Sequence, residues 1–243
     1  LRHRLGFGDD TKVGPRVSTI HSLSLSAIRM DTRGFGMPSD RVTPLDTGDQ
    51  KDMLRRILET RKKDPKFADL DMWKFLERLS YHRARGIGFA ADYTPEVHKA
   101  AEQAHRGYHA LLPQELVMWE DYERAKQASS TLDFDDMLHL VVRRGRQDEA
   151  WRAGVQRQFK VVLMDETQDT NSTQWDFAEL LLGPGNLDLF AVGDLSQSIY
   201  AFSGAAPEIL GSMVRTWRGV TPKLYKMEDN YRSLGKIVRF ANR

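Results

Sequence analysis

The rhythm of apolar positions changes partway along the chain. In the first half they recur at helical spacing: Leu23, Ala27 and Ile28 with Met30 further round, then Met53, Leu54, Ile57 and Leu58, then Trp73, Leu76 and Leu79, then Leu116, Trp119 and Tyr122. Spacings of three and four place such side chains on one face of an α-helix, which predicts a helix over 22–30 and a largely helical stretch over 50–130. Residues 1–16 are Gly-rich and charged and read as loop, and Val17 to Ile20 is a short apolar, β-branched segment. Asp31 to Asp49 collects Gly, Pro, Thr and Asp, the composition of a loop and a boundary. Thr94-Pro95 has the form of an N-cap followed by proline in the first turn, and Pro113 restarts a helix. Gly86-Ile87-Gly88 is too short for a phosphate loop and reads as a turn. Asp133 caps a short amphipathic helix running to Arg144.

Beyond that helix the pattern alternates between short apolar runs and helical spacing. Phe159 to Met164 predicts a buried strand, Ser172 to Leu182 a helix stopped by Gly183-Pro184-Gly185, and Leu187 to Val192 a second strand. Pro207 to Trp217 predicts another helix and Lys223 to Met227 a third strand. Strands that alternate with helices and release polar residues at their C-terminal ends are the pattern of a parallel α/β sheet. The five tryptophans, at 73, 119, 151, 175 and 217, are expected in the core, and Arg143, Arg144 and Arg146 at a solvated helix end.

Composition narrows the classes. With 40% hydrophobic and 29% charged residues among 243, the chain is globular rather than disordered. The absence of Cys excludes disulfide scaffolds, Cys-ligated zinc, iron–sulfur clusters and thiol catalysis. A formal charge of +2 neither demands a polyanionic partner nor argues against one, so nucleic-acid binding has to come from local patches. No apolar run approaches the roughly 18 residues of a membrane span, and no signal peptide opens the chain. These features predict a soluble intracellular protein with no membrane partner, and the expected location is the cytoplasm, for a bacterial or phage-encoded protein. The start at Leu1 rather than Met, and the end at Arg243 within a helix-like run, suggest a piece of a longer protein.

Three local features carry candidate chemistry. Val162-Leu163-Met164-Asp165-Glu166 is an apolar strand ending in adjacent carboxylates. A nucleotide hydrolase presents its Mg²⁺ ligand in this way, with a neighbouring Glu to orient water, but acidic strand ends also serve as helix caps. Gly193-Asp194-Leu195-Ser196-Gln197-Ser198-Ile199-Tyr200 closes the second strand. There Gln197 is placed to sense a terminal phosphate, and Tyr200 and Phe202 offer faces for base stacking or for the core. Asn230-Tyr231-Arg232-Ser233 follows the third predicted strand, where an Arg can stabilise charge on a transferred phosphoryl group or simply face solvent.

Taken in order, Thr19-Ile-His21-Ser22, Leu132-Asp-Phe-Asp-Asp136, Asp165-Glu-Thr-Gln-Asp-Thr-Asn171, Gly193-Asp-Leu-Ser-Gln-Ser-Ile-Tyr200 and Asn230-Tyr-Arg-Ser233 resemble the superfamily 1A DNA helicases of the UvrD/Rep/PcrA type. The resemblance runs from about Val17 to the end of the chain. It implies a RecA-like P-loop NTPase core with a parallel sheet and an inserted all-helical subdomain. Residues 1–44 and 131–232 would belong to the first core domain, 45–130 to the insertion and 233–243 to the start of the second core domain. The cofactors it implies are ATP and Mg²⁺. Asp165 would ligate the metal, with Glu166 activating water and a further possible metal ligand. Gln197 and Arg232 would reach the γ-phosphate, and Tyr231 would stack on adenine. Single-stranded DNA and single-strand/duplex junctions would be the partners, contacted through Thr19, His21, Tyr200 and Phe202. The complete enzyme would move 3′ to 5′ along one strand and unwind duplex.

The chain departs from the family in three places. It contains no Gly-x-x-x-x-Gly-Lys-Ser/Thr, so the loop that cradles phosphate is missing, and this chain alone is expected to be inactive as an ATPase. Ser203 stands where the family usually has Arg, and Ile20 where it usually has Phe. Two readings compete with a working helicase: a degenerate, non-catalytic DNA-binding relative, and the helicase part of a RecB/AddA-type helicase–nuclease. A metal-dependent nuclease on Asp165, Glu166 and Asp169 would need further converging carboxylates.

Overall fold

A computed structural model describes residues 15–103, 108–183, 188–199 and 205–241. Thr19 caps the first helix, α1 (Ile20–Met30), its hydroxyl accepting from Ser22 N at 3.1 Å. Ile20 thus opens a helix rather than closing an extended segment, and it packs with Leu23 and Ala27 against the core. The loop after α1 is shorter than its composition suggests. It gives a two-residue strand, β1 (Thr43–Pro44), and then Asp46 caps α2 (Thr47–Arg61) through a reciprocal bond with Asp49.

Three further helices follow: α3 (Met72–Arg83), α4 (Pro95–Gln103) and α5 (Pro113–Ala128). Helices α2, α3 and α5 share one apolar cluster built on Leu54, Phe75, Leu79, Met118, Trp119 and Tyr122. The stripe on α3 is out of phase with the one predicted. Phe75, Leu79, His82 and Arg83 are buried, whereas Trp73 is 69% exposed with Lys51 Nζ 4.0 Å above its ring. The reason is geometric: each step of three drifts by about 60° round an α-helix, so Trp73 lies about 120° from Leu79, whereas Phe75 and Leu79, four apart, share a face. Gly86, with φ +89°, makes the turn that leads out of α3.

The chain returns through β2 (Thr131–Leu132), which pairs in parallel with β1, so the helical excursion leaves and re-enters side by side. Asp133 then caps α6 (Phe134–Gln147), and α7 (Glu149–Gln156) follows. Arg144 is not solvated, a correction to the sequence expectation: it pairs with Asp31 at 2.6 Å and lies over the rings of Phe35 and Trp151. Strand β3 (Val162–Met164) leads into α8 (Ser172–Leu182), β4 (Leu189–Ala191), α9 (Pro207–Met213) and α10 (Gly235–Ala241). Strands β3 and β4 are parallel, with Leu163 opposite Phe190. One face of this pair, carrying Val162 and Met164, packs on Trp175, Ala178 and Met213, while Leu163 and Phe190 on the other face are exposed.

The fold is therefore mixed α/β with short parallel sheets, as expected. The third strand is not formed: residues 223–227 have no ladder partner, and Leu224, Tyr225 and Met227 are exposed. An apolar β-run becomes a strand only beside a free edge with matching register, and among the described residues nothing pairs with it. No helix of the described residues is long and apolar enough to cross a membrane.

Candidate functional site

Parallel pairing brings the C-terminal ends of β3 and β4 together, and ligands of open α/β sheets bind at that edge. From β3 the chain runs into Asp165 and Glu166, both exposed. Glu166 has φ +51° and ψ +41°, a left-handed conformation that is uncommon for a residue with a Cβ. Backbone held there persists only when its surroundings over-determine it. Those surroundings are the adjoining buried pair, Thr167 and Gln168. The amide and hydroxyl of Thr167 both donate to the carbonyl of Val192, at 3.0 and 2.9 Å, which ties the turn to the end of β4.

Gln168 links the two strand ends directly. Its Nε2 donates to Glu166 Oε2 at 2.8 Å, while its Oε1 accepts from the Asp194 amide at 3.1 Å. Gly193 has to be glycine for the link to form, because a Cβ there would lie 2.4 Å from Thr167 Oγ1 and 2.8 Å from Gln168 Oε1. On the β4 side, Asp194 accepts from Ser196 N at 2.9 Å and from Gln197 Nε2 at 2.8 Å. The Gln197 amide beside it holds the Asp194 carboxyl below its ordinary range. Sequence reading named Gln197 and gave Gln168 no role. The signal available was its place between two carboxylates in Asp165-Glu-Thr-Gln-Asp169.

The cluster fits a divalent cation in one respect. Asp165 uses one carboxylate oxygen to accept from the Glu166 amide at 3.0 Å, and the residue is exposed at the strand end, so its other oxygen is left for a ligand. Mg²⁺ keeps several waters and needs only one or two carboxylates when phosphates complete its shell. Among the described residues no three His, Cys, Asp or Glu side chains converge into a metal cage.

The other predicted residues fall elsewhere. Tyr231 and Arg232 sit in an exposed turn: Tyr231 donates to Asp229 at 3.2 Å, and the Arg232 amide donates to Asn230 at 3.0 Å. Among the described residues no hydrogen bond or ion pair joins them to the strand-end cluster. Tyr200, Phe202 and the departure at Ser203 lie outside the described residues. Thr19 and His21 occupy the N-terminal turn of α1, where burial lowers the His21 pKa. The His21 ring meets Phe134 edge-on at 5.5 Å, and Phe134 is half exposed at the start of α6. This aromatic neighbour is visible only in three dimensions, because 113 positions (134 − 21) separate the two.

Residues 3–217 match the UvrD/REP helicase N-terminal domain, and the chain belongs to that family of superfamily 1 DNA helicases. It is 29% identical to ATP-dependent DNA helicase Rep of Escherichia coli, over all of this chain and 34% of that protein. It is also 29% identical to ATP-dependent DNA helicase PcrA of Bacillus subtilis, over 93% of this chain and 28% of the relative. ATP-dependent DNA helicase UvrD1 of Mycobacterium leprae is 27% identical, with 97% and 30% covered. The chain thus spans about a third of the length of these relatives.

Proposed function

We propose that the chain is part of the first motor domain of an ATP-dependent DNA helicase, its β3–β4 edge serving Mg²⁺–ATP and its α1–α6 face serving single-stranded DNA. Residues 1–44 and 131–232 form the RecA-like domain in this reading, 45–130 a helical insertion and 233–243 the start of a second core domain. The separate apolar cluster of α2, α3 and α5 supports that division, as does the β1–β2 pair at its entry and exit. One observation carries the reading: two carboxylate-bearing ends of parallel strands joined through Gln168.

Bound Mg²⁺–ATP supplies the reactive γ-phosphoryl group and a cation that offsets the charge developing on it. The protein's own groups do the positioning. Asp165 offers its other oxygen for the metal. Glu166, fixed by its left-handed backbone and by Gln168, orients the attacking water. Gln197 stands within one hydrogen bond of Asp194 and can exchange that bond for a phosphate oxygen. Tyr231 would stack on the adenine and Arg232 would reach the γ-phosphate. Thr19 and His21 contact the strand, with Tyr200 and Phe202 stacking on its bases, and the complete protein moves 3′ to 5′ to open duplex at junctions. Because the sequence holds no phosphate loop, the 243-residue chain by itself is expected to bind single strands without turning over ATP.

The test is Glu166→Gln in the complete protein. Binding of ATP and of a single-stranded oligonucleotide should stay within about twofold, while steady-state ATPase falls by about 10² or more, the scale of general acid–base catalysis. Near-normal turnover would remove Glu166 from water activation and with it the present reading of the strand-end cluster.

A further inference from the structure

The dry cluster of charges where α3, α5 and α6 meet has no part in the chemistry above. Arg83, Lys126, Asp133 and Asp136 are each at most 5% exposed at their side chains. One guanidinium nitrogen of Arg83 donates to both Asp133 oxygens at 2.8 and 3.0 Å, and the other to Asp136 at 2.5 Å. Lys126 Nζ bridges the same two carboxylates at 2.8 and 2.5 Å, and the Tyr122 hydroxyl donates to Asp133 at 3.1 Å. The adjacent cations hold the Asp133 carboxyl far below its ordinary range.

The arrangement has a direction. Both cations come from the helices of the 47–128 stretch, and both carboxylates come from the start of α6. The same two carboxylates also begin α6. Asp133 Oδ1 accepts from the Asp136 amide at 2.9 Å, and Asp136 Oδ2 accepts from the Asp133 amide at 3.0 Å. Phe134 lies between them, with its half-exposed ring against His21. Arg83 is gripped at its other end too, its carbonyl accepting from His139 Nε2 at 2.9 Å and from Thr173 at 3.3 Å. Its Nε makes no hydrogen bond and points toward Asp135, whose carboxylate lies 3.9 Å away and is partly exposed.

Replacing a buried ionic cluster by well-packed apolar side chains is often neutral or stabilising, so strength alone does not account for one. A planar fork that spans two carboxylates sets their separation, which a point charge cannot do. We propose that Arg83 is a positioning residue through which α3 and α5 set the first turn of α6, and with it the Phe134–His21 face. The proposal rests on the reading of that face as the one that meets single-stranded DNA.

Two measurements on the full chain test it: amide hydrogen exchange, and anisotropy titration of a fluorescein-labelled oligo-dT. The variants are Arg83→Lys, His21→Ala, their combination, and the charge-balanced pair Arg83→Met with Asp136→Asn. Arg83→Lys should cut protection of the α6 first-turn amides about tenfold or more and leave protection in α2–α5 unchanged, because local opening is read amide by amide. It should weaken oligo-dT binding about fivefold alone but less than about twofold in the His21→Ala background, the non-additivity expected of residues that act through one face. Unchanged α6 protection, or equal losses with and without His21, would overturn the proposal. So would loss of the whole fold in both Arg83 variants, since Arg83 would then be a global support. If the unaltered chain does not bind oligo-dT, the DNA reading of the face fails, and the exchange result alone decides whether Arg83 positions α6.

Discussion

Two clusters of carboxylates lie within the same chain and are held in opposite ways. At the α3–α5–α6 seam, Asp133 and Asp136 are sealed from water and answered by Arg83 and Lys126. At the ends of β3 and β4, Asp165, Glu166 and Asp194 face outward, held by backbone amides and by the uncharged side chains of Gln168 and Gln197. A carboxylate neutralised by a buried cation has no charge left over for a ligand, whereas one steadied by amides keeps its negative charge available. Placement therefore separates the acids that organise the fold from those that can perform chemistry, and acidity alone does not.

The largest test of that contrast is to leave a sealed acid unanswered. Lys126→Met should destabilise the chain by about 3–5 kcal/mol, the cost of stranding buried charge, as measured by urea unfolding. A loss below about 1 kcal/mol would mean that water enters the seam and the two clusters are alike. Acidification probes the same seam through His139. Burial pushes its pKa down to about 3, and Arg83 adds to the shift. Below about 6.5 the unfolded imidazole takes up a proton that the folded one refuses. Stability should therefore fall by about 1.4 kcal/mol per pH unit as pH drops from about 6.5 toward 3. His21 and His82 are also lowered by burial and add in the same sense. The slope should become shallower in His139→Gln, which can donate to the Arg83 carbonyl but does not titrate, and an identical slope would assign the effect elsewhere.

Gly193→Ala strikes the open cluster instead. Its Cβ would crowd Thr167 and Gln168, so a cost of about 1–3 kcal/mol and loss of the link between strand ends are expected, readable by unfolding and by exchange at the Asp194 amide. The smallest effect belongs to Trp73→Ala, within about 0.5 kcal/mol, because the ring is exposed. A drop of several kcal/mol there would restore Trp73 to the core.

Features encoded by neighbouring residues could be read in the sequence. Asp133 capping α6 and the span Ser172–Leu182 ending at Gly183 were legible because caps and stops act within a turn of helix. So was the Asp165-Glu166 strand end, set by a short apolar run and its first polar residues. Trp73 looks like a core residue because steps of three resemble one face, although each step drifts round the helix and carries the ring away from Leu79. Arg83 was invisible as a core residue: alone on a helix it looks like any solvated arginine, and its partners lie about 50 positions away (133 − 83). The strand predicted at 223–227 failed for the same reason, since a strand is a property of two segments. Thr167 and Gln168 owe their burial, and Gln168 its role, to the second strand, which its own apolar run announces but which no local pattern places beside them.

The β1–β2 pair has a consequence for the order of folding. Thr43 N bonds Ser130 O at 3.1 Å and Leu45 N bonds Leu132 O at 2.8 Å, so two short rungs join positions nearly ninety residues apart. Closing so long a loop in a disordered chain costs more entropy than two hydrogen bonds return. Once α2 and α5 have docked on each other, the two ends already lie close and the cost has largely been met. The rungs should therefore form late, as a clasp on helices already assembled, and substitutions in them should speed unfolding while barely slowing refolding.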